Sequence, residues 1–145
     1  MTANMKDARP LFKRGRPYNR DIILCHLACT AVYERIVVRE LKNFCEELRR
    51  RLAQYNVRPS VQPIATSDKD YSEAAKYFCD HYERIRIIIT NRYDLKEKIS
   101  NKYGRNCFER SSGRPIRYIK VSDFNQGTLE EVWKDVKKSV ERKKF

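Results

Sequence analysis

The chain has 145 residues, 41% of them hydrophobic and 35% charged, and carries a net charge of +13. This length suits one domain with a real hydrophobic core, and no stretch approaches the roughly 20 apolar residues that span a bilayer. The N-terminus has no apolar segment of the signal-peptide type, and the five cysteines have no regular spacing. We therefore expect free thiols and a place in the nucleus or cytoplasm, with the nucleus favoured.

The positive charge is concentrated in three segments. Residues 1–20 carry +5, residues 91–120 carry +6 and residues 134–145 carry +4, whereas the rest of the chain sums to −2. Charge that served solubility alone would be spread more evenly, so this distribution favours a polyanionic partner whose phosphates the chain neutralises. Solvated tails with a nuclear-import signal are the alternative interpretation.

Residues 1–20 have no hydrophobic period and contain two prolines, so we expect a disordered basic tail. The tail includes Arg14-Gly15-Arg16-Pro17, which resembles an AT-hook, a segment whose Arg-Gly-Arg core lies in the minor groove of A·T-rich DNA. A general phosphate-binding or import tail is the competing interpretation of Arg14 and Arg16.

The first elements of the folded part are a strand and a long helix. Residues 21–28 form an apolar run typical of a buried strand. A helix is predicted to begin between residues 30 and 36 and to end near Asn56, because apolar side chains recur there every three or four residues. That stripe consists of Val37, Leu41, Phe44, Leu48, Leu52 and Tyr55.

A second strand and helix lead to the most apolar stretch of the chain. Residues 60–65 are predicted to be a strand, and Pro59 and Pro63 favour the edge of a sheet for it. Residues 72–82 predict a second helix. Residues 84–90 are rich in isoleucine, which indicates a strand covered on both faces. The alternation of strands and helices with short connections predicts a parallel sheet with right-handed crossovers.

The last third of the chain is predicted to hold a hairpin and a helix. Residues 93–103 form either a short helix or an ordered loop. Residues 106–121 read as a β-hairpin that turns at residues 111–113. Thr128 with Glu131 three positions later predicts a capping box at the start of the last helix.

Together these elements predict a three-layer α/β fold. We expect a mixed four- to five-stranded sheet with a parallel core and a C-terminal hairpin, flanked by three main helices. Residues 21–140 would form this single domain, with a disordered basic tail at 1–20 and a short basic tail at 141–145.

The sequence shows no pattern of an active site. Cys25, His26 and Cys29 cluster, but they lie on or beside an apolar strand, whereas structural zinc sites usually place cysteine pairs in turns. The turn at residues 29–32 has no glycine, which counts against a nucleotide-binding enzyme. Neither His26 nor His81 has a sequence neighbour that suggests a nucleophile–base pair. We therefore expect no catalysis, no metal and no cofactor.

Cations alternate with aromatic residues after the central strand, a composition that binds single-stranded nucleic acid by phosphate pairing and base stacking. With the tail arginines, the candidate nucleic-acid-binding residues are Arg14, Arg16, Arg92, Tyr93, Lys102, Arg105, Arg110, Arg114 and Arg117. Tyr103, Phe108 and Tyr118 share the pattern and serve equally well as core residues of the hairpin.

The order of elements over residues 21–140 resembles the anticodon-binding domain of class II aminoacyl-tRNA synthetases. The resemblance is carried by the long first helix, the strand at residues 85–89, the hairpin around residues 110–113 and the last helix after Thr128. Its usual Gly-x-Pro-like turn into the third strand is replaced here by residues 80–83, and no synthetase catalytic motif is present.

This resemblance implies a mixed five-stranded sheet and RNA binding without aminoacylation. A protein-interaction adaptor for an acidic partner, on a flavodoxin-like scaffold in a nuclear or ribonucleoprotein complex, is the first alternative. DNA binding assisted by the AT-hook-like tail is the second.

Overall fold

The computed structural model describes residues 21–29, 35–92, 94–103 and 116–141, with the backbone alone at 100–103 and 141. Strands and helices alternate throughout: β1 (Ile22–Cys29), α1 (Arg35–Ala53), β2 (Ser60–Ser67), α2 (Ser72–His81), β3 (Ile85–Thr90), α3 (Leu95–Tyr103), β4 (Arg117–Lys120) and α4 (Gln126–Glu141). The predicted α/β class is confirmed, and the described part holds four helices where three main ones were expected. None of these helices is long and apolar enough to cross a membrane.

The four strands form one sheet in the order β2-β1-β3-β4, and every neighbouring pair is parallel. β2 lies at the sheet edge, as its prolines predicted. β4 runs parallel to β3 because α3 returns the chain between them, so the described sheet is parallel where a mixed one was expected. The alternating pattern of residues 116–121 indicates a half-buried strand but not its direction. The first arm of the predicted hairpin, residues 106–110, lies outside the described residues.

Apolar side chains cover both faces of the sheet, because neighbouring residues of a strand point to opposite sides. On one face, alternate residues of β1 such as Ile23 and Leu27 pack against α1 and α4. On the other face, Leu24 and Ala28 pack against α2 and α3. The core therefore forms two layers, with β1 and β3 buried between them as the sequence predicted.

α1 ends in a Schellman motif, the hydrogen-bonded turn that often closes a helix. Asn56 adopts a φ of 61°, the left-handed conformation that asparagine tolerates better than most residues. The amide of Asn56 donates to the carbonyl of Ala53 at 3.0 Å, and that of Val57 to the carbonyl of Leu52 at 3.1 Å. The predicted end of the helix near Asn56 is confirmed.

α4 begins earlier than the sequence predicted. Asn125 caps it, since its Oδ1 accepts a hydrogen bond of 2.9 Å from the amide of Thr128. Thr128 lies inside the first turn, where its hydroxyl donates to Asp123 at 3.2 Å. The predicted capping box of Thr128 and Glu131 is therefore wrong, because Asn125 supplies a strong cap three positions earlier.

Because all four strands are parallel, the sheet has two distinct ends. The carboxyl end is where the strands finish, at Cys29, Ser67, Thr90 and Lys120, and the amino end is where they start, at Ile22, Ser60, Ile85 and Arg117. Each helix begins near the carboxyl end and runs back towards the amino end, as a parallel sheet requires. In such folds, ligands usually bind at the carboxyl end.

Candidate nucleic-acid interface

At the carboxyl end, a buried histidine joins three neighbouring strands. His26 is fully buried in β1, with its Nδ1 2.9 Å from Oγ1 of Thr90 and its Nε2 2.8 Å from Oγ1 of Thr66. Burial lowers the pKa of His26 to about 4, and the positive charge of Arg92 adds to that shift. His26 is therefore neutral near neutral pH and uses both ring nitrogens to bond β2 and β3. The sequence showed no partner for it, since these threonines lie 40 and 64 residues away.

The residues that follow β3 bind the ends of neighbouring strands. The side chain of Asn91 accepts from the amide of Ala28 at 2.8 Å and donates to its carbonyl at 3.0 Å. Arg92 places Nη2 3.0 Å from Oδ2 of Asp68, at the end of β2. Arg92, a predicted nucleic-acid-binding residue, thus forms an ion pair that links the residues after β3 to those after β2.

Tyr71 completes the carboxyl end beside the first turn of α2. Its hydroxyl donates to Oδ1 of Asp94 at 3.3 Å, and its ring meets His26 edge-on with 5.2 Å between the centroids. Burial, together with the charge of Asp94, raises the pKa of Tyr71 to about 12. A cavity of about 380 Å³ opens next to it. The cavity is lined by Lys69, Asp70, Tyr71, Ser72, Ala75, Glu97 and Lys98.

Described charges balance at the carboxyl end. With the first helical turns included, six cations stand there against six carboxylates: Arg35, Lys69, Arg92, Lys96, Lys98 and Lys120 against Asp68, Asp70, Glu73, Asp94, Glu97 and Asp123. The amide at the start of α2 is also occupied, since Ser72 donates to Oδ1 of Asp70 at 2.9 Å. In the described residues, this end therefore offers no excess positive charge to a polyanion.

Arg117 lies away from Arg92, although both were predicted to form one surface. Arg117 opens β4 level with Ile87, and Lys120 is the residue level with Thr90. The three residue steps from Arg117 to Lys120 separate Arg117 from the carboxyl end by roughly 10 Å along the strand. Its Nη2 is 2.7 Å from Oδ1 of Asp135 in α4.

The other predicted site residues are not described as side chains. Lys102 belongs to the backbone of α3, and its side chain lies outside the description, as does that of Tyr103. Arg14, Arg16, Tyr93, Arg105, Arg110 and Arg114 lie outside the described residues. Tyr118 is half-buried, and its hydroxyl accepts from the amide of Lys96 at 3.1 Å, so it is structural.

The cysteine and histidine cluster of β1 does not form a metal site. Cys25 packs in the layer against α1 and α4, whereas His26 points to the opposite face, towards Tyr71. Nowhere in the described ranges do three histidine, cysteine or acidic side chains converge in a way that holds a metal ion. Cys25, Cys29 and Cys45 are free thiols, but Cys79 is disulfide-bonded, so the expectation of free thiols is wrong there.

Three basic segments attach to the amino end of the sheet. Residues 1–20 precede β1, which starts there, and residues 104–115 precede β4, which starts there because it is parallel to β3. Residues 142–145 follow α4, whose Asp135 already lies beside the start of β4. These segments carry +5, +2 and +3, whereas the described ranges hold 20 basic and 16 acidic residues, a net +4.

Described cations extend this positive region. Arg58 precedes β2 and Lys138 lies in the last turn of α4, both exposed, while Arg84 precedes β3 and is half-exposed. Arg86 is paired with Asp21, 3.2 Å from Nε to Oδ1. Cations near helix C-termini are also stabilised by the helix dipole, which explains part of this placement but not the attached segments.

An aromatic pair lies near the amino end, where the last residues of α1 approach α4. The ring centroids of Tyr55 and Trp133 are 5.9 Å apart, and the two rings are tilted by 55°. Tyr55 was predicted to face inward with the stripe of α1, but it is 40% exposed. It lies beyond Ala53, the last residue of α1, where the helical period no longer applies. Asn56, a residue that often terminates helices, was the sequence signal that Tyr55 lies outside the apolar stripe of α1.

No family model, curated protein or solved structure matches this chain.

Proposed function

We propose that this protein is a non-catalytic nucleic-acid-binding module, with RNA favoured over DNA, and that it binds at the amino end of its sheet. The observation that carries the proposal is the common attachment of residues 1–20, 104–115 and 142–145 to that end, with a total charge of +10. Segments that are far apart in sequence thereby act on one partner.

The physical basis is the neutralisation of phosphates. Each lysine or arginine that contacts a phosphate releases a condensed counterion, so several cations on one side of a domain produce strong, salt-sensitive binding. The described cations Arg58, Arg84 and Lys138 join the attached segments at that end. The carboxyl end supplies no comparable excess, because its arginines and lysines are matched by carboxylates.

Two further considerations support the absence of catalysis and the preference for RNA. Both nitrogens of His26 are engaged by threonines, so this histidine is not available as a general acid or base. The resemblance of the element order to anticodon-binding domains favours RNA, without specifying a sequence.

The test is an electrophoretic binding panel with single-stranded RNA, duplex RNA, single-stranded DNA and A·T-rich duplex DNA at low and high salt. We expect RNA to bind most tightly. The charge-reversal variant Arg58→Glu/Arg84→Glu/Lys138→Glu should weaken binding roughly tenfold or more, because lost phosphate contacts act multiplicatively. Its matched control, Lys69→Glu/Lys96→Glu/Lys98→Glu, reverses three cations at the carboxyl end and should change affinity much less.

Each result has a defined meaning. Equal losses in the two triple variants contradict the placement of the site, and no binding to any nucleic acid at low salt contradicts the function. A stable complex with one protein that survives nuclease treatment contradicts the nucleic-acid-binding function and supports the adaptor interpretation. Tightest binding to A·T-rich duplex that disappears on deletion of residues 1–20 supports the AT-hook interpretation instead.

A further inference from the structure

We infer that Tyr55, supported by Trp133, is a stacking platform for an unpaired base of a single-stranded nucleic acid. This inference rests on the proposed function and deepens it, since phosphate neutralisation alone does not distinguish single strands from duplexes. Aromatic rings bind single strands because every base presents a flat face that is accessible only when the base is unpaired.

The exposure of Tyr55 is unusual for this chain. In the described residues, the large hydrophobic side chains that are exposed are Ile36, at 69%, and Tyr55, at 40%. Ile36 lies in the first turn of α1 and Tyr55 just beyond its last residue, so the two stand at opposite ends of the same helix. Tyr55 is thus an exposed aromatic ring near the end of the sheet where the positive charge collects.

Trp133 holds the tyrosine ring in place. It is half-buried and packs against the core layer formed by α1 and α4. The guanidinium carbon of Arg51 lies 5.9 Å from the centre of the Trp133 ring, a cation–π contact. A ring that is already supported loses little conformational freedom when a base stacks on it, which favours affinity.

The charges around the pair suit a phosphate backbone. Arg58 follows Tyr55 by three residues, and Lys134 is the neighbour of Trp133; both side chains are exposed. The nearby carboxylate of Glu130 is already bound by Arg51, with 3.2 Å between Nη1 and Oε1. A base stacked on Tyr55 would therefore have the exposed cations Arg58 and Lys134 within a few residues of the aromatic pair, while the Glu130 carboxylate is engaged by Arg51.

The test uses Trp133 as a reporter, because it is the single tryptophan of the chain. The full chain is titrated with a short oligouridylate, a short oligothymidylate and an RNA duplex of mixed sequence. We expect both single strands to quench the fluorescence of Trp133 saturably, and the duplex to bind without comparable quenching. The two single strands distinguish RNA from DNA as the source of the base.

Four variants separate stacking from packing. Tyr55→Ala should weaken single-strand binding roughly tenfold, the loss typical for one stacked base, and leave duplex binding nearly unchanged. Tyr55→Phe keeps the ring and should bind like the parent chain. Tyr55→Leu keeps apolar contact with Trp133 but should bind like Tyr55→Ala. Ile36→Ala, the matched control, removes exposed apolar surface at the other end of α1 and should have no effect.

The outcomes distinguish this inference from the proposed function. If Tyr55→Ala and Tyr55→Leu bind single strands as the parent does, the stacking platform is overturned. The proposed nucleic-acid-binding function still stands in that case, provided that binding is salt-sensitive and is lost in the Arg58/Arg84/Lys138 variant. If Tyr55→Leu restores what Tyr55→Ala loses, the tyrosine only packs on Trp133. If the parent chain binds none of the probes, both are overturned.

Discussion

The two ends of this parallel sheet differ in how their polar groups are used. At the carboxyl end, His26, Asn91 and Arg92 are bonded to neighbouring strands, and the described charges balance. At the amino end, three basic segments attach and an aromatic ring remains exposed. The carboxyl end is the usual ligand site of such folds, but that rule presumes polar groups left open to a ligand. Here those groups stabilise the fold, which moves the candidate interface to the opposite end.

The largest effect is expected for the polar groups of the carboxyl end, whose loss should lower the free energy of unfolding. In Thr66→Val/Thr90→Val, both ring nitrogens of His26 lose their partners while the ring stays buried. Unsatisfied buried polar groups cost about 1–3 kcal/mol each, so the two nitrogens together should lower the stability against urea by about 2–6 kcal/mol. Nucleic-acid binding measured below the unfolding transition should not change. Weakened binding by the folded variant would show that the carboxyl end belongs to the interface.

The next effect is a dependence of stability on pH. The pKa of His26 is lowered to about 4 in the folded chain, against about 6.5 when unfolded. Below about pH 6.5 the unfolded chain therefore binds a proton that the folded chain excludes, and stability falls as pH falls towards 4. Between about pH 7 and pH 5 the loss should be about 2 kcal/mol. Urea unfolding at both pH values measures it, and His26→Gln, which keeps a side chain able to bond both threonines, should lose much less.

The smallest effect is expected at Arg92. Arg92→Ala removes an ion pair that is partly exposed to solvent, so the loss of stability should be within about 1 kcal/mol. Since the guanidinium is held by Asp68, affinity for single-stranded RNA should change less than about twofold, compared with a larger loss in Arg58→Ala. Both variants are measured in one titration series. A larger loss of affinity in Arg92→Ala than in Arg58→Ala would indicate that the interface lies at the carboxyl end.

Local patterns predicted the elements of the fold well. The stripe of α1 set that helix, isoleucines marked β3 as buried, and two prolines placed β2 at an edge, because each signal lies within a few residues. Competition between neighbouring signals was harder to judge. Asn125 and Thr128 are both good caps, and the sequence alone did not show which one begins α4.

Local sequence patterns did not predict which site residues lie close together in the folded chain. Arg92 and Arg117 lie within one basic segment of the sequence, yet the parallel direction of β4 separates them along the sheet. The partners of His26 come from strands that only the sheet order brings together. Likewise, the common attachment of three basic segments follows from strand direction, which alternation of side chains does not encode.

The position of β1 in the sheet also has a consequence for synthesis of the chain. Among the described strands, β1 is made first, but its partners β2 and β3 end at Ser67 and Thr90. Until then, an apolar strand with two unpaired sides is exposed to other nascent chains, a situation that promotes aggregation. Charged flanking residues oppose such association, and the basic residues 1–20 directly precede β1. We therefore expect the charge of residues 1–20 to oppose aggregation of the growing polypeptide before a folded domain exists.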